Sequence, residues 1–95
     1  MAVTFHIPTY LAPFAGDSSS VALSSAPTNV QEALQSLWRL HPALRDRIVD
    51  EQGAVRQHIN IFVGNECIRF TGGLETPVPD GAELMIVPAV SGGVW

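Results

Sequence analysis

The sequence contains no lysine, a single cysteine and no apolar run long enough to cross a membrane. Without lysine there is no side-chain amine to acylate, so a chain like this, if joined to another molecule, acts as the acyl donor. Its cations are arginines alone, five against nine acidic side chains, for a net charge of −4. Phosphate binding needs clustered positive charge, which excludes nucleic acid as an expected partner. The one cysteine, Cys67, excludes an intramolecular disulfide and reads as a half-buried small hydrophobe; a reducing cytoplasm is the simplest home. The opening residues Met1 to Pro8 lack a basic region followed by a long apolar stretch, so neither an export signal nor a membrane partner is expected. Charge itself is scarce, 15% against 46% hydrophobic residues in a chain of 95. That is apolar enough for one soluble domain to fold without metals or disulfides.

The usual catalytic constellations are missing as well. His6, His41 and His58 are scattered without metal-ligand spacing, so no metal site is expected. The serines form no Gly-x-Ser-x-Gly elbow, and Cys67 has no evident base. Gly72-Gly73 lacks the Gly-Lys-Ser/Thr and the helix of a phosphate loop and reads as a turn, and Asp50-Glu51 reads as a solvated turn at a helix end. A self-contained enzyme is not expected, nor a bound cofactor.

What is present is a folding pattern. Val3, Phe5 and Ile7 alternate with Thr4 and His6 as a half-buried strand closed by Pro8. A loop through Pro13, Gly16, Asp17 and Ser18 to Ser20 leads to a second alternating run, Val21 to Ser24, expected antiparallel to the first. Thr28 or Asn29 can cap a helix with Glu32 in its first turn, and Val30, Ala33, Leu34, Leu37, Trp38 and Leu40 share one helical face. Pro42 interrupts that helix, and Leu44, Ile48 and Val49 continue the stripe in a short segment ended near Gly53. His58 to Val63, a turn at Gly64-Asn65, and Cys67 to Phe70 read as a strand pair. After the turn at Pro79-Asp80-Gly81 comes a last strand, Glu83 to Pro88. Strand, strand, helix, strand, strand, strand is an α+β order with helices on one face of a mixed sheet. A β-grasp solves it, the last strand pairing in parallel with the first across a helical crossover.

Alternation also divides the sheet's faces. With Val3, Phe5, Ile7, Ile59, Ile61, Val63, Leu84 and Ile86 toward the helix, the residues His6, Asn60, Phe62, Met85 and Val87 face away. Phe62, Met85 and Val87 are then an exposed apolar patch leading toward the C-terminus, where a partner is expected to dock.

Beyond Val90 the chain reads Ser91-Gly92-Gly93-Val94-Trp95. Residues without a Cβ thread narrow channels and allow close backbone approach to a phosphate, and from Val90 to Gly93 an extended chain spans about 10 Å at roughly 3.3 to 3.6 Å per residue. The run Pro79-Asp80-Gly81-Ala82-Glu83-Leu84, followed by Ile86-Val87-Pro88-Ala89-Val90-Ser91-Gly92-Gly93, resembles the closing segment of ubiquitin-like sulfur carriers of the MoaD, ThiS and CysO type. His58 to Gly64 with Ile68-Arg69 resembles that family's middle strand pair, and Val30 to Leu40 lies where its helix would be. The resemblance implies a ubiquitin-like β-grasp domain over residues 1–90 and a flexible tail over 91–95.

It also implies a chemistry: an adenylating, ubiquitin-activating-like enzyme uses ATP and magnesium to attach AMP to the Gly93 carboxylate. A sulfur donor then converts it to a thiocarboxylate that supplies a sulfur-accepting biosynthetic enzyme. Ser91 and Gly92 would thread the activating site. Val94-Trp95 departs from the pattern, because the reactive carboxylate is tied up in the Gly93-Val94 peptide bond. The extension resembles that of QbsE-like carriers, which a JAMM-type zinc metallopeptidase trims, with zinc in the peptidase only. It favours a cysteine, methionine or siderophore-type route. A molybdopterin or thiamin carrier, a ubiquitin-like protein modifier and a pure interaction module stay open.

Overall fold

The computed structural model describes residues 2–88. Met1 and residues 89–95, including the tail from Ser91 to Trp95, lie outside the described residues. Strand β1, Thr4–His6, buries Phe5 between the buried flanking residues Val3 and Ile7, as the alternation predicts. Strand β2, Ser20–Ala22, lies antiparallel to it with Val21 opposite Phe5.

Their connection is not the loop the sequence suggests but a 3-10 helical segment, Thr9–Ala15, that buries Leu11 and Ala15 and carries Pro13 inside it. A left-handed Gly16 ends it, and the Arg47 guanidinium caps its Phe14 ring at 4.3 Å. With two buried positions beside prolines, the segment is too short to show a period.

Helix α1 spans Val30–Leu40, with Val30, Ala33, Leu34 and Leu37 buried. Asn29 is the cap: its side-chain oxygen accepts from the Glu32 N–H at 2.9 Å. Thr28, the other candidate, supplies the reciprocal half, since the Glu32 carboxylate accepts from both its N–H and its hydroxyl at 2.9 Å. These bonds hold the Glu32 carboxyl below its ordinary pKa, chiefly through the Thr28 backbone N–H. Leu40, expected on the apolar face, is instead 49% exposed, because it is the last residue of the helix, just ahead of the His41 cap and the turn at Pro42. A 3-10 turn, Pro42–Leu44, leads into helix α2, Arg45–Ile48. The helix ends there rather than near Gly53. Val49 turns out to bridge Val55, and the Asp50 carboxylate accepts from the N–H groups of Gln52 and Ala54.

Strand β3, Ile59–Val63, turns at Gly64, whose φ of 61° suits a residue without a Cβ. Strand β4 is only Glu66–Cys67. The strand expected as far as Phe70 gives way to a 3-10 turn, Ile68–Phe70, which drops Ile68 into the core and leaves Phe70 87% exposed. Gly72 and Gly73 take positive φ at the start of the next turn, as read from the sequence. Strand β5, Glu83–Pro88, completes a five-stranded sheet in the order β2-β1-β5-β3-β4, parallel between β1 and β5 and otherwise antiparallel. One core cluster joins the sheet to the helices. This is the ubiquitin-like β-grasp of the sequence reading. No helix among the described residues is long and apolar enough to cross a membrane.

Two consequences of the α1 cap are measurable. Asn29→Ala should cost about 1 kcal/mol in denaturant unfolding, since it orphans the Glu32 N–H. Because the folded-state pKa of Glu32 is depressed, its contribution is present above the unfolded carboxylate pKa and disappears as pH falls through the folded value. The stability gap between the native chain and Glu32→Ala should therefore narrow steadily on acidification below about pH 5.

Candidate functional site

Strand β5 is hydrogen-bonded on both edges, so its side chains have only two directions to take. Leu84 and Ile86 enter the core, and Glu83, Met85 and Val87 stand on the open face. Antiparallel register sets Phe62 of β3 directly opposite Met85, and Asn60 opposite Val87. On the other side, parallel register aligns His6 with Met85, and beyond Phe62 lies Cys67 of β4. The three residues of the predicted docking patch are thus brought together: Phe62 and Met85 as a cross-strand pair, and Val87 two positions along, about 7 Å from Met85. Met85 is 42% exposed, and Phe62 and Val87 are half-buried. Ile59, Ile61, Leu84 and Ile86 are buried on the opposite side, so the face assignment agrees with the alternation.

Polar groups bound this patch at both ends. At the start of β5 the His6 Nε2 meets the Glu83 carboxylate at 2.6 Å, an exposed contact worth little to stability. At the other end, where β5 reaches Pro88 opposite Ile59, Arg69 works as a clamp. Its Nε donates to the Asn60 Oδ1 at 2.6 Å, and its Nη2 donates to the carbonyls of Ile59 at 2.8 Å and Gln57 at 3.2 Å. Arg69 therefore pins the first residues of β3, the strand against which the last turn of β5 is registered. Sequence reasoning used Arg69 only as part of a resemblance. No local signal marks it, since the partners lie nine to twelve positions away.

The remaining candidates stay apart. Cys67 is half-buried at the sheet edge, and its carbonyl, not its thiol, accepts from the Thr71 hydroxyl. His41 caps α1 through its backbone N–H, and His58 is exposed ahead of β3. No group of three or more His, Cys, Asp or Glu among the described residues could hold a metal ion. The expected acylation, threading and processing residues, Ser91, Gly92, Gly93 and Val94, lie outside the described residues. The last described residue before them, Pro88, lies beside the apolar patch and the Arg69 clamp.

Comparison with known proteins places this geometry in context. The family model described as the ThiS family matches residues 5–93. The chain is 36% identical to the sulfur carrier protein CysO of Mycobacterium tuberculosis, covering 98% of this chain and 100% of that protein. A chain in the crystal structure of the Amycolatopsis orientalis BexX/CysO complex is 39% identical over 97% of this chain and 100% of its own length, with a TM-score of 0.86. The small archaeal modifier protein 1 of Haloferax volcanii is 32% identical over 83 residues, covering 87% of this chain and 91% of that protein. Its crystal structure superposes with a TM-score of 0.79, covering 98% of this chain and 100% of that one.

The two faces of β3 should respond oppositely to charge. Phe62→Asp should keep the fold and lose no more than about 1 to 2 kcal/mol, because the side chain keeps access to water. Ile61→Asp should cost several kcal/mol by burying an unpaired carboxylate, enough to abolish cooperative unfolding in a domain of ordinary stability. Similar melting curves for the two variants would show that the faces are not distinguished in this way.

Proposed function

The chain belongs to the ThiS family of ubiquitin-like sulfur carriers, and from that premise we propose that it carries sulfur as a thiocarboxylate on Gly93 once Val94 and Trp95 have been removed. One observation carries the reading: the family match runs from residue 5 through residue 93 and stops at the second glycine of Gly92-Gly93. Two further residues follow it in the sequence.

The chemistry requires that order of events. A bare carboxylate is a poor electrophile, so the Gly93 carboxylate oxygen first attacks the α-phosphate of ATP and displaces pyrophosphate. A sulfur nucleophile then attacks the acyl carbon of the mixed anhydride, and AMP leaves with its bonding electrons. In the intact chain this carbonyl is an amide to Val94, so hydrolysis of Gly93-Val94 must come first. That bond is sterically open on its glycine side, which suits a zinc peptidase of the JAMM type using metal-activated water. ATP, magnesium and zinc belong to these partner enzymes. The carrier itself contributes a tail that fits a narrow site and a body that docks.

For docking, Phe62, Met85 and Val87 form the contact to the adenylating enzyme. The patch adjoins Pro88, so a partner seated on it receives the tail in the same encounter. The delivered sulfur goes to a sulfur-accepting biosynthetic enzyme in the cytoplasm. The likeness to CysO favours a cysteine-type route over a molybdopterin or thiamin route. A second reading, a protein modifier acylating lysines on other proteins, draws support from the likeness to the Haloferax modifier and from the absence of lysine here, which leaves no internal target.

Pyrophosphate release with ATP and the cognate activating enzyme tests the proposal. The intact chain should be inert, and a chain ending at Gly93, or the intact chain pretreated with the peptidase, should be active. Equal activity of intact and truncated chains, with Trp95 still present by mass, would falsify the precursor reading. In the same assay Phe62→Asp in the truncated chain should raise KM about ten- to a hundredfold, from the loss of roughly 1.5 to 3 kcal/mol of apolar burial. An unchanged KM would remove Phe62 from the docking surface.

A further inference from the structure

One polar side chain stands among the apolar ones of the open face. Asn60 lies opposite Val87, and Phe62, two positions along β3, lies opposite Met85, so a single amide shares a block of four side chains with three apolar neighbours. Asn60 is half-buried, as are Phe62 and Val87. Its orientation is set from outside the block. The Arg69 Nε, which can only donate, meets the Asn60 Oδ1 at 2.6 Å. A carboxamide carries its oxygen on one side and its nitrogen on the other, so this contact turns Nδ2 and its hydrogens away from the guanidinium. Arg69 is itself restrained, because its Nη2 donates to the carbonyls of Ile59 at 2.8 Å and Gln57 at 3.2 Å.

We propose that Asn60 is a specificity-determining residue of the docking face. Its Nδ2 donates to an acceptor oxygen that the protein partner presents among its apolar contacts to Phe62, Met85 and Val87, and Arg69 is the positioning residue that orients the amide for this bond. The inference rests on the docking role proposed above for that patch. Burial supplies the reason. A partner that covers Phe62 and Val87 also strips water from the amide beside them, and an amide N–H dried without an acceptor offsets much of what the apolar contacts contribute. A wholly apolar partner is thereby rejected, and one with an oxygen in the right place is admitted. Because Arg69 holds the amide in one orientation before the partner arrives, little freedom is lost on binding. The cation on the oxygen side also polarises the amide and strengthens its nitrogen as a donor.

The test is the Kd of the chain ending at Gly93, which retains every described residue, for the cognate activating enzyme, measured by calorimetry without ATP. Asn60→Asp keeps an oxygen for Arg69 and gives it a charge to pair with, so its unfolding midpoint should equal or exceed that of the native chain. It removes the N–H donors, and Kd should rise about tenfold or more. Asn60→Leu is neutral, similar in size and enlarges the apolar surface, yet should also raise Kd; a simple apolar face would bind this variant more tightly. Arg69→Met should raise Kd in the native background and add little in the Asn60→Leu background, where no amide remains to be oriented. An unchanged or lowered Kd for Asn60→Asp and Asn60→Leu, both folded by circular dichroism, would overturn the donor role. An Arg69→Met effect of equal size in both backgrounds would overturn the positioning role. Pyrophosphate release is read separately: a native chain that binds with this dependence on Asn60 but is not adenylated contradicts the carrier reading and supports the inference about the face.

Discussion

Strand β5 lies between β1 and β3, and most of what this protein can do depends on that position. Pairing with β1 over Glu83 to Met85 and with β3 from Leu84 to Pro88 holds its backbone in the sheet, and the pleat then leaves no freedom in side-chain direction. A slip of one residue would drive Met85 and Val87 into the core and expose Leu84 and Ile86. Each of those two buried side chains contributes about 1.5 to 3 kcal/mol through burial, which makes such a slip costly in a domain with a net stability near 5 to 15 kcal/mol. The same register that secures the core thus assembles the open patch and places Pro88 opposite Ile59.

The parallel pairing of β1 with β5 needs a crossover, and α1 provides it. Around that frame the two ends of the patch differ in kind. His6 and Glu83 form an exposed contact that water and salt weaken. Arg69, by contrast, spreads one guanidinium over the Asn60 side chain and the carbonyls of Ile59 and Gln57, and so braces β3 at the level of Pro88. Each such bond to a charged donor is worth about 1.5 to 3 kcal/mol when well formed and less when exposed. The end of the sheet at Pro88 is therefore held by side-chain bonds as well as by the ladder.

The sequence makes legible those parts whose period is long enough to count. Helix α1 shows four buried positions at helical spacing with a cap and a proline stop, and its bounds agree with that reading. The alternation in β1, β3 and β5 separates the core residues from the patch correctly. What stays hidden is built from short pieces or distant partners. The 3-10 segment at Thr9–Ala15 buries only Leu11 and Ala15, and the turn at Ile68–Phe70 replaces a strand that alternation would have continued, because Arg69 reaches back to β3. Phe70, an aromatic in an apparently regular run, comes out almost fully exposed for the same reason. Family membership was legible mainly in the stretch from Pro79 to Gly93, where turn, strand and paired glycines follow one another.

The proposed function turns on one piece of chemistry, in which Gly93 would become a terminal carboxylate and then a thiocarboxylate. Its most direct test is the intact mass of this protein isolated from its native host under conditions that demand sulfur-containing products. A population ending at Gly93, part of it heavier by the exchange of one oxygen for sulfur and shifted further in mass when a thiol-alkylating reagent traps that sulfur, is the predicted result. A chain that always retains Trp95, or one ending at Gly93 that never shows the exchange while its pathway is active, would contradict the account.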